Sequence, residues 1–462
     1  MIGRKEELAY LNELYESNQF EFLIMYGRRR IGKTTILQEF SKHTNTMFYP
    51  AREKNDSLNL EDFSKTVQLH FDHSFIASFP SWEACFTYIG NKVTERTAII
   101  IDEFPYIIEE NPSVKSILQH TIDHSFKNKN IFFILCGSSV SIMENDIMGR
   151  KSPLYDRQTA TLEIKPFDYL EASEFFPNYS NQEKLIAYGI LGGIPRYLKA
   201  FDSTKSIKEN IAGKILRNGA YLYEEPENLL KAELRETNIY NSILSAISSG
   251  RNRIIDIATY IHEDRTKVSK YLMTLQTLRL IEKRVPCGES EKSKKSIYVI
   301  KDNFLKFWFR YEFTNNAYYA ILGAREAANE IMDDISNLMG DAFEEICKEY
   351  LIRQAKKRSL PFIPYFIGKW WGTNAALKAQ DNVDVLALDK NKTKAIFVEC
   401  KFTSKPMPLE EYEDLVNATK AFPDIKTKYL YFISKSGYTE PVKRQAELDG
   451  TILLEIDDLF MV

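Results

Sequence analysis

Two groups of residues in this chain have the types and spacing to do chemistry. The first is Gly27-Arg28-Arg29-Arg30-Ile31-Gly32-Lys33-Thr34, which reads G-x-x-x-x-G-K-T. Glycines let a backbone turn tightly enough for several N–H groups to face one anion, and a helix opening at Lys33 adds its positive end. Lys33 can reach the β- and γ-phosphates of a nucleotide, and the Thr34 hydroxyl can sit on Mg2+. Gly27, Arg30, Gly32, Lys33, Thr34 and Thr35 are therefore expected to hold the nucleotide. Asp102 and Glu103 end the apolar run Thr97-Ala98-Ile99-Ile100-Ile101, and ligands gather beyond the carboxyl ends of buried parallel strands. Asp102 is expected in the Mg2+ shell with Thr34, and Glu103 is expected to orient or deprotonate the attacking water.

The second group lies near the C-terminus. Asn382-Val383-Asp384-Val385-Leu386-Ala387-Leu388 alternates as a strand, Asp389-Lys390-Asn391-Lys392 turns, and Ala395-Ile396-Phe397-Val398-Glu399-Cys400-Lys401-Phe402 returns. In such a hairpin Asp384 and Glu399 meet near one end, and Glu399 and Lys401, two apart, share a face. Glu344, in a helix expected to open at Gly340, can point to the same place. Glu344, Asp384 and Glu399 would give hard oxygen ligands to Mg2+ or Mn2+. The metal would activate water against a phosphodiester, with Lys401 positioning the water or stabilising charge. The plainer reading is a hairpin bearing a surface ion pair between Glu399 and Lys401. The apolar Ile396-Phe397-Val398 ahead of Glu399 weighs toward the site.

These residues need elements to place them. Residues 1–165 alternate apolar runs with helical patterns, which predicts an α/β core on a parallel sheet, with strands at 21–26, 46–50, 98–102, 131–136 and 160–164. The fourth strand leads into Gly137-Ser138-Ser139, which either senses the γ-phosphate or is a plain serine turn. Residues 166–235 read as a helical lid interrupted at Gly192-Gly193-Ile194-Pro195-Arg196-Tyr197. Residues 236–300 read as a winged helix. A first helix starts at Arg253, and a second starts at Arg265 with Val268, Tyr271, Leu272, Leu275 and Leu278 inward. Two strands follow around a turn carrying Lys292, Lys294 and Lys295. Arg265, Lys267 and Lys270 lie where a recognition helix meets a DNA groove, although many winged helices bind only protein. Aromatic residues 301–335 read as a helical bridge held by packing. Residues 336–462 form the last α/β domain.

Length and charge bound these readings. The 462 residues suffice for about three domains. With 44% hydrophobic and 27% charged residues the composition is that of a soluble globular chain, and a net charge of −3 requires any nucleic-acid surface to be local. The N-terminus lacks the apolar core of a signal peptide, and no apolar stretch is long enough to span a bilayer. Five scattered cysteines without a C-x-x-C pair point to a reducing cytoplasm, and away from structural zinc or disulfides.

The N-terminal half resembles the archaeal-type ATPases of the AAA+/STAND group of P-loop NTPases. The resemblance is carried by Ile2-Gly3-Arg4-Lys5-Glu6-Glu7, the Gly27–Thr34 loop, Ile101-Asp102-Glu103-Phe104-Pro105-Tyr106, Ser152-Pro153-Leu154-Tyr155-Asp156-Arg157 and Gly193-Ile194-Pro195-Arg196-Tyr197. It implies ATP, a helical lid and a winged helix. It also implies Gly3 and Arg4 near the adenine, Arg157 or Arg150 as an arginine finger, and Arg196 on the phosphates from the lid side. Asp156 stands where the family usually has glycine. The C-terminal part is similar to PD-(D/E)XK nuclease-like domains through Glu344, Asp384, Glu399 and Lys401. Together these imply an ATP-dependent protein that binds double-stranded DNA and cuts it with metal, or else a regulatory switch that binds DNA or protein without cutting. A finger supplied in trans would make it a homo-oligomer.

Overall fold

The computed structural model describes residues 2–461. The chain divides into two compact units, one ending at Pro166 and one beginning at Phe167.

In the first unit five parallel strands form one sheet in the order β2-β3-β4-β1-β5. They are β1 (Glu21–Tyr26), β2 (Thr46–Pro50), β3 (Thr97–Asp102), β4 (Ile131–Gly137) and β5 (Ala160–Glu163). The continuous apolar runs of β3 and β4 are buried at every position, as strands covered on both faces must be. Phe22, Ile24, Ile99, Ile101, Phe133 and Leu135 build one core with Phe63, Trp82, Phe86 and Phe126. Because β4 lies between β1 and β3, the loop after the first, the serines after the second and the carboxylates ending the third stand side by side at one sheet edge.

The second unit opens with short helices. Gly193 makes a close approach possible there, because a Cβ on it would stand 1.8 Å from the Phe167 carbonyl oxygen. Three helices follow, Thr237–Ser248, Ile254–Tyr260 and Arg265–Thr277, then an antiparallel pair, β6 (Ile281–Arg284) and β7 (Ile297–Ile300). Asp264 caps the third helix by accepting the Thr266 N–H at 2.7 Å. Val268, Leu272 and Leu275 of that helix are buried, whereas Tyr271 and Leu278 are half-exposed. The expected inward stripe is therefore narrower than the spacing suggested. Aromatic helices then lead to one long helix, Ile335–Lys356. It passes straight through Gly340, so the expected opening there is corrected. The turn before it is set by Asp334, which accepts the Asn337 amide at 2.6 Å.

A mixed sheet completes this unit in the order β12-β11-β10-β9-β8. The strands are β8 (Phe366–Asn374), β9 (Ala379–Leu388), β10 (Lys394–Lys401), β11 (Thr427–Ser434) and β12 (Ile452–Glu455). β8, β9 and β10 run antiparallel, while β10, β11 and β12 run parallel. The loop between β6 and β7 is fastened to this sheet. The Cys287 N–H donates to the Lys369 carbonyl at 2.9 Å, the Trp371 indole to the Lys295 carbonyl at 3.2 Å, and Lys392 to the Gly288 carbonyl at 2.7 Å. Among the described residues all five cysteines are free, and no helix is long and apolar enough to cross a membrane.

Candidate functional site

At the edge of the parallel sheet, the glycine loop turns through positive φ at Gly27, Arg30 and Gly32. A Cβ on Gly27 would stand 2.5 Å from the Ile164 carbonyl oxygen, so only glycine fits. Lys33 opens the helix Lys33–Ser41 and is 4% exposed; its ammonium donates to the carbonyls of Gly27 at 2.8 Å and Arg28 at 3.1 Å. Thr34 donates to the Asp102 carboxylate at 2.6 Å, across the width of β4. Thr35, next along the helix, is exposed, as is Arg30.

Asp102 is buried, and its second oxygen accepts the Glu103 N–H at 3.0 Å. Glu103 has a φ of 53°, a left-handed conformation that costs a non-glycine residue about 1–3 kcal/mol. Its carboxylate accepts both the Ser138 N–H at 3.0 Å and the Ser138 hydroxyl at 2.8 Å. The serine after β4 thus binds the proposed base, a partnership that neither reading of the serine turn anticipated. The N-terminal segment reaches the same loop. Gly3 and Arg4 both have positive φ, and the buried Arg4 guanidinium donates to the Ile31 carbonyl at 3.1 Å while pairing with Glu7 at 2.8 Å.

The two finger candidates lie elsewhere in this unit. Arg157 is held by Asp123 through Nε at 3.1 Å and a terminal nitrogen at 3.0 Å, while Arg150 is exposed. Arg157 would have to give up Asp123 to serve another site. Asp156 has a φ of 62°, which explains why glycine suits this position and why aspartate, tolerant of that conformation, can replace it. Arg196, in the second unit, lies 4.7 Å over the Tyr221 ring.

The C-terminal constellation is assembled differently from its sequence reading. Asp384 on β9 accepts the Cys400 N–H of β10 at 3.0 Å, which ties the two strands together at the expected place. Asp384, Glu399 and Lys401 line one cavity of about 420 Å3 with Asp381, Glu411 and Asp414. Lys401 pairs with both Glu399 and Glu411 at 2.9 Å. Glu344 does not line that cavity. Lys369 of β8 grips both its oxygens, at 2.6 and 2.7 Å, and stands 3.7 Å from Asp384. Burial and then the Asp384 charge push the Glu344 carboxyl up, against the pull of Lys369. Burial and Asp384 likewise push Glu399 up, against Lys401. Burial alone would lower the Lys401 ammonium, but Glu399 and Glu411 raise it far above its usual range.

Among the described residues no three His, Cys, Asp or Glu side chains gather to hold a metal ion. Lys369 stands between Glu344 and Asp384, paired with the first and 3.7 Å from the second. Lys369 and Glu411 carried no spacing signal toward this site. A lysine inside the apolar, aromatic stretch Phe366-Ile367-Gly368-Lys369-Trp370-Trp371 was the one available hint.

A parallel sheet with a lysine-bearing glycine loop, a hydroxyl bonded to a strand-end aspartate and a glutamate beside it defines a P-loop ATPase domain. Residues 1–201 match the family described as an ATPase domain predominantly from Archaea, and residues 308–414 match one described as archaeal and bacterial proteins of unknown function. The chain belongs to the same family as the uncharacterized protein MJECL04 of Methanocaldococcus jannaschii. The two are 36% identical over 437 residues, which covers 94% of this chain and 95% of that one. A stretch of 39 residues, 8% of this chain, is 44% identical to 66% of the uncharacterized ATP-binding protein MJ0423 of the same organism. The fold is similar to that of the Walker-type ATPase PABY2304 of Pyrococcus abyssi, with a TM-score of 0.52 and 20% identity over 67% of this chain and 96% of that one.

Proposed function

We propose that the chain hydrolyses ATP at the edge of the parallel sheet and uses its nucleotide state to govern a DNA-binding segment. The bond between Thr34 and Asp102 carries this reading. It brings together a hydroxyl and a carboxylate, hard oxygen donors of the kind Mg2+ takes, beside a lysine cradled by its own loop. Thr34 and Asp102 would hold Mg2+, which when bound with ATP neutralises charge on the β- and γ-oxygens. Lys33 would exchange the carbonyls of Gly27 and Arg28 for phosphate oxygens. Glu103 would leave Ser138 to orient the attacking water, so that its release is a gate on turnover. Arg4 braces the loop from the N-terminal side.

The helix Arg265–Thr277 would contact duplex DNA through its exposed Arg265, Lys267 and Lys270, with β6 and β7 as the wing. Lys267 is already paired with Glu263 at 2.8 Å, which leaves Arg265 and Lys270 the stronger contacts. In the C-terminal cavity Lys401 is paired with both Glu399 and Glu411, and this favours a binding or regulatory surface over a cutting centre. Phosphodiester cleavage with Mg2+ or Mn2+ is the second reading, favoured by the convergence of Asp384, Glu399 and Lys401 on one cavity.

One preparation tests both. ATP turnover would be followed with and without duplex DNA, and plasmid integrity with Mg2+ or Mn2+, beside Asp384→Ala and Lys401→Ala. DNA-stimulated turnover with intact plasmid is expected. Cutting that disappears in both variants would replace this reading with the second.

A further inference from the structure

The helical segment after Gly193 holds a cavity of about 480 Å3 lined by four cations and no carboxylate. They are Arg196, Lys199, Lys214 and Arg217, and all four are exposed. None of the four forms an ion pair with a described residue; the nearby Asp202 carboxyl is held down first by its bonds to Thr204 and only lastly by Lys214. Arg196 and Lys199 are one helical turn apart, while Lys214 lies in a short helical turn and Arg217 in the bend that follows it. Like charges repel, and four of them at one cavity compound the cost. In a chain with 64 acidic and 61 basic residues, a local group of unopposed cations is an outlier. Gly213 and Gly219 line the same cavity, and a Cβ on either would meet nothing within 4 Å, so the backbone there is open to a bulky ligand. The Tyr221 ring, 39% exposed, forms one wall.

From this we infer a second DNA contact, in which Arg196, Lys199, Lys214 and Arg217 bind the phosphodiester backbone. The inference rests on the DNA-binding reading above and adds a site to it. Ammonium and guanidinium groups converging without carboxylates suit phosphate oxygens, and duplex DNA offers a charge about every 1.7 Å along its axis. Such contacts are independent of base sequence and fix register on the duplex, while the exposed helix Arg265–Thr277 meets the bases.

The test is the salt dependence of binding to a fluorescently labelled duplex, read by anisotropy between about 50 and 200 mM salt. The full chain is compared with Lys214→Gln/Arg217→Gln and with Lys214→Glu/Arg217→Glu, each also titrated with a fluorescent ATP analogue. The glutamine pair should flatten the log–log salt slope by about 1.8, two contacts at ~0.9 each, and weaken binding at least about tenfold near 100 mM salt. The glutamate pair should weaken it further. An unchanged slope with intact binding would overturn this site and leave the DNA reading standing. A loss of ATP affinity with an unchanged slope would also overturn it, assigning the cavity to nucleotide phosphates. No binding by the unaltered chain would overturn both.

Discussion

Lys33 has traded water for two carbonyl oxygens of its own loop, so its charge is already aimed where phosphate would arrive. Lys33→Ala should lower ATP affinity by roughly ten- to a hundredfold, the worth of a charged hydrogen bond of about 1.5–3 kcal/mol, as read by titration with a fluorescent nucleotide. Glu103→Gln should bind ATP normally and turn it over about 10²–10⁴ times more slowly. Normal turnover by that variant would remove Glu103 from its assigned role. Ser138→Ala removes one of the two bonds that hold Glu103, so basal turnover should rise a fewfold. A large fall instead would assign the hydroxyl to the γ-phosphate. At this scale the glycine loop and the strand-end acids were legible because their partners are fixed by short spacing and by one turn from strand to helix. Lys369, Glu411 and Asp123 were not, because each meets its partner through tertiary structure across a gap that no motif spans.

The helix Ile335–Lys356 gathers several buried charges, and its chemistry shows in stability. Glu349, half-buried, accepts the Tyr188 hydroxyl at 2.8 Å and the Tyr169 N–H at 3.0 Å. Burial, with Asp168 and Glu345 adding repulsion, pushes its carboxyl up to about 8. Between the ordinary carboxylate range and that value the folded chain keeps a proton that the unfolded chain has lost. Stability therefore falls as pH rises through this window and levels off above it. Glu349→Gln should flatten that fall, as measured by urea midpoints across the pH range. On the same helix Glu344 depends on Lys369, and Lys369→Ala should cost roughly 1–3 kcal/mol by leaving a shielded carboxylate unpaired. Adding Glu344→Gln should restore much of the loss, and a double-mutant cycle in thermal unfolding measures the coupling. Of the first sheet's strands, β1, β3 and β4 were readable because both faces are apolar, whereas β2 and β5 are only partly covered. β8 was not, since its side chains are mostly half-covered and mix aromatics with lysine, and β12 is only four residues long.

At the scale of the whole molecule, composition and charge fixed little beyond size and the need for any nucleic-acid surface to be local. Which segments share a core is a tertiary property. Apart from Pro166, residues 166–235, 236–300, 301–335 and 336–462 lie in the one compact unit that begins at Phe167. That unit, expressed alone, should unfold in a single calorimetric transition, with van 't Hoff and calorimetric enthalpies in agreement. Two transitions would mean that its segments are energetically independent. The loop between β6 and β7 makes the single transition the expected result, because its backbone is stitched to β8 and to the turn after β9. The same stitching works as a fixed caliper. If the helix Arg265–Thr277 settles on a duplex, the cavity around Asp384 is carried to a constant distance along it. Whatever that cavity contacts, footprinting should find it at one invariant phase relative to the bound helix.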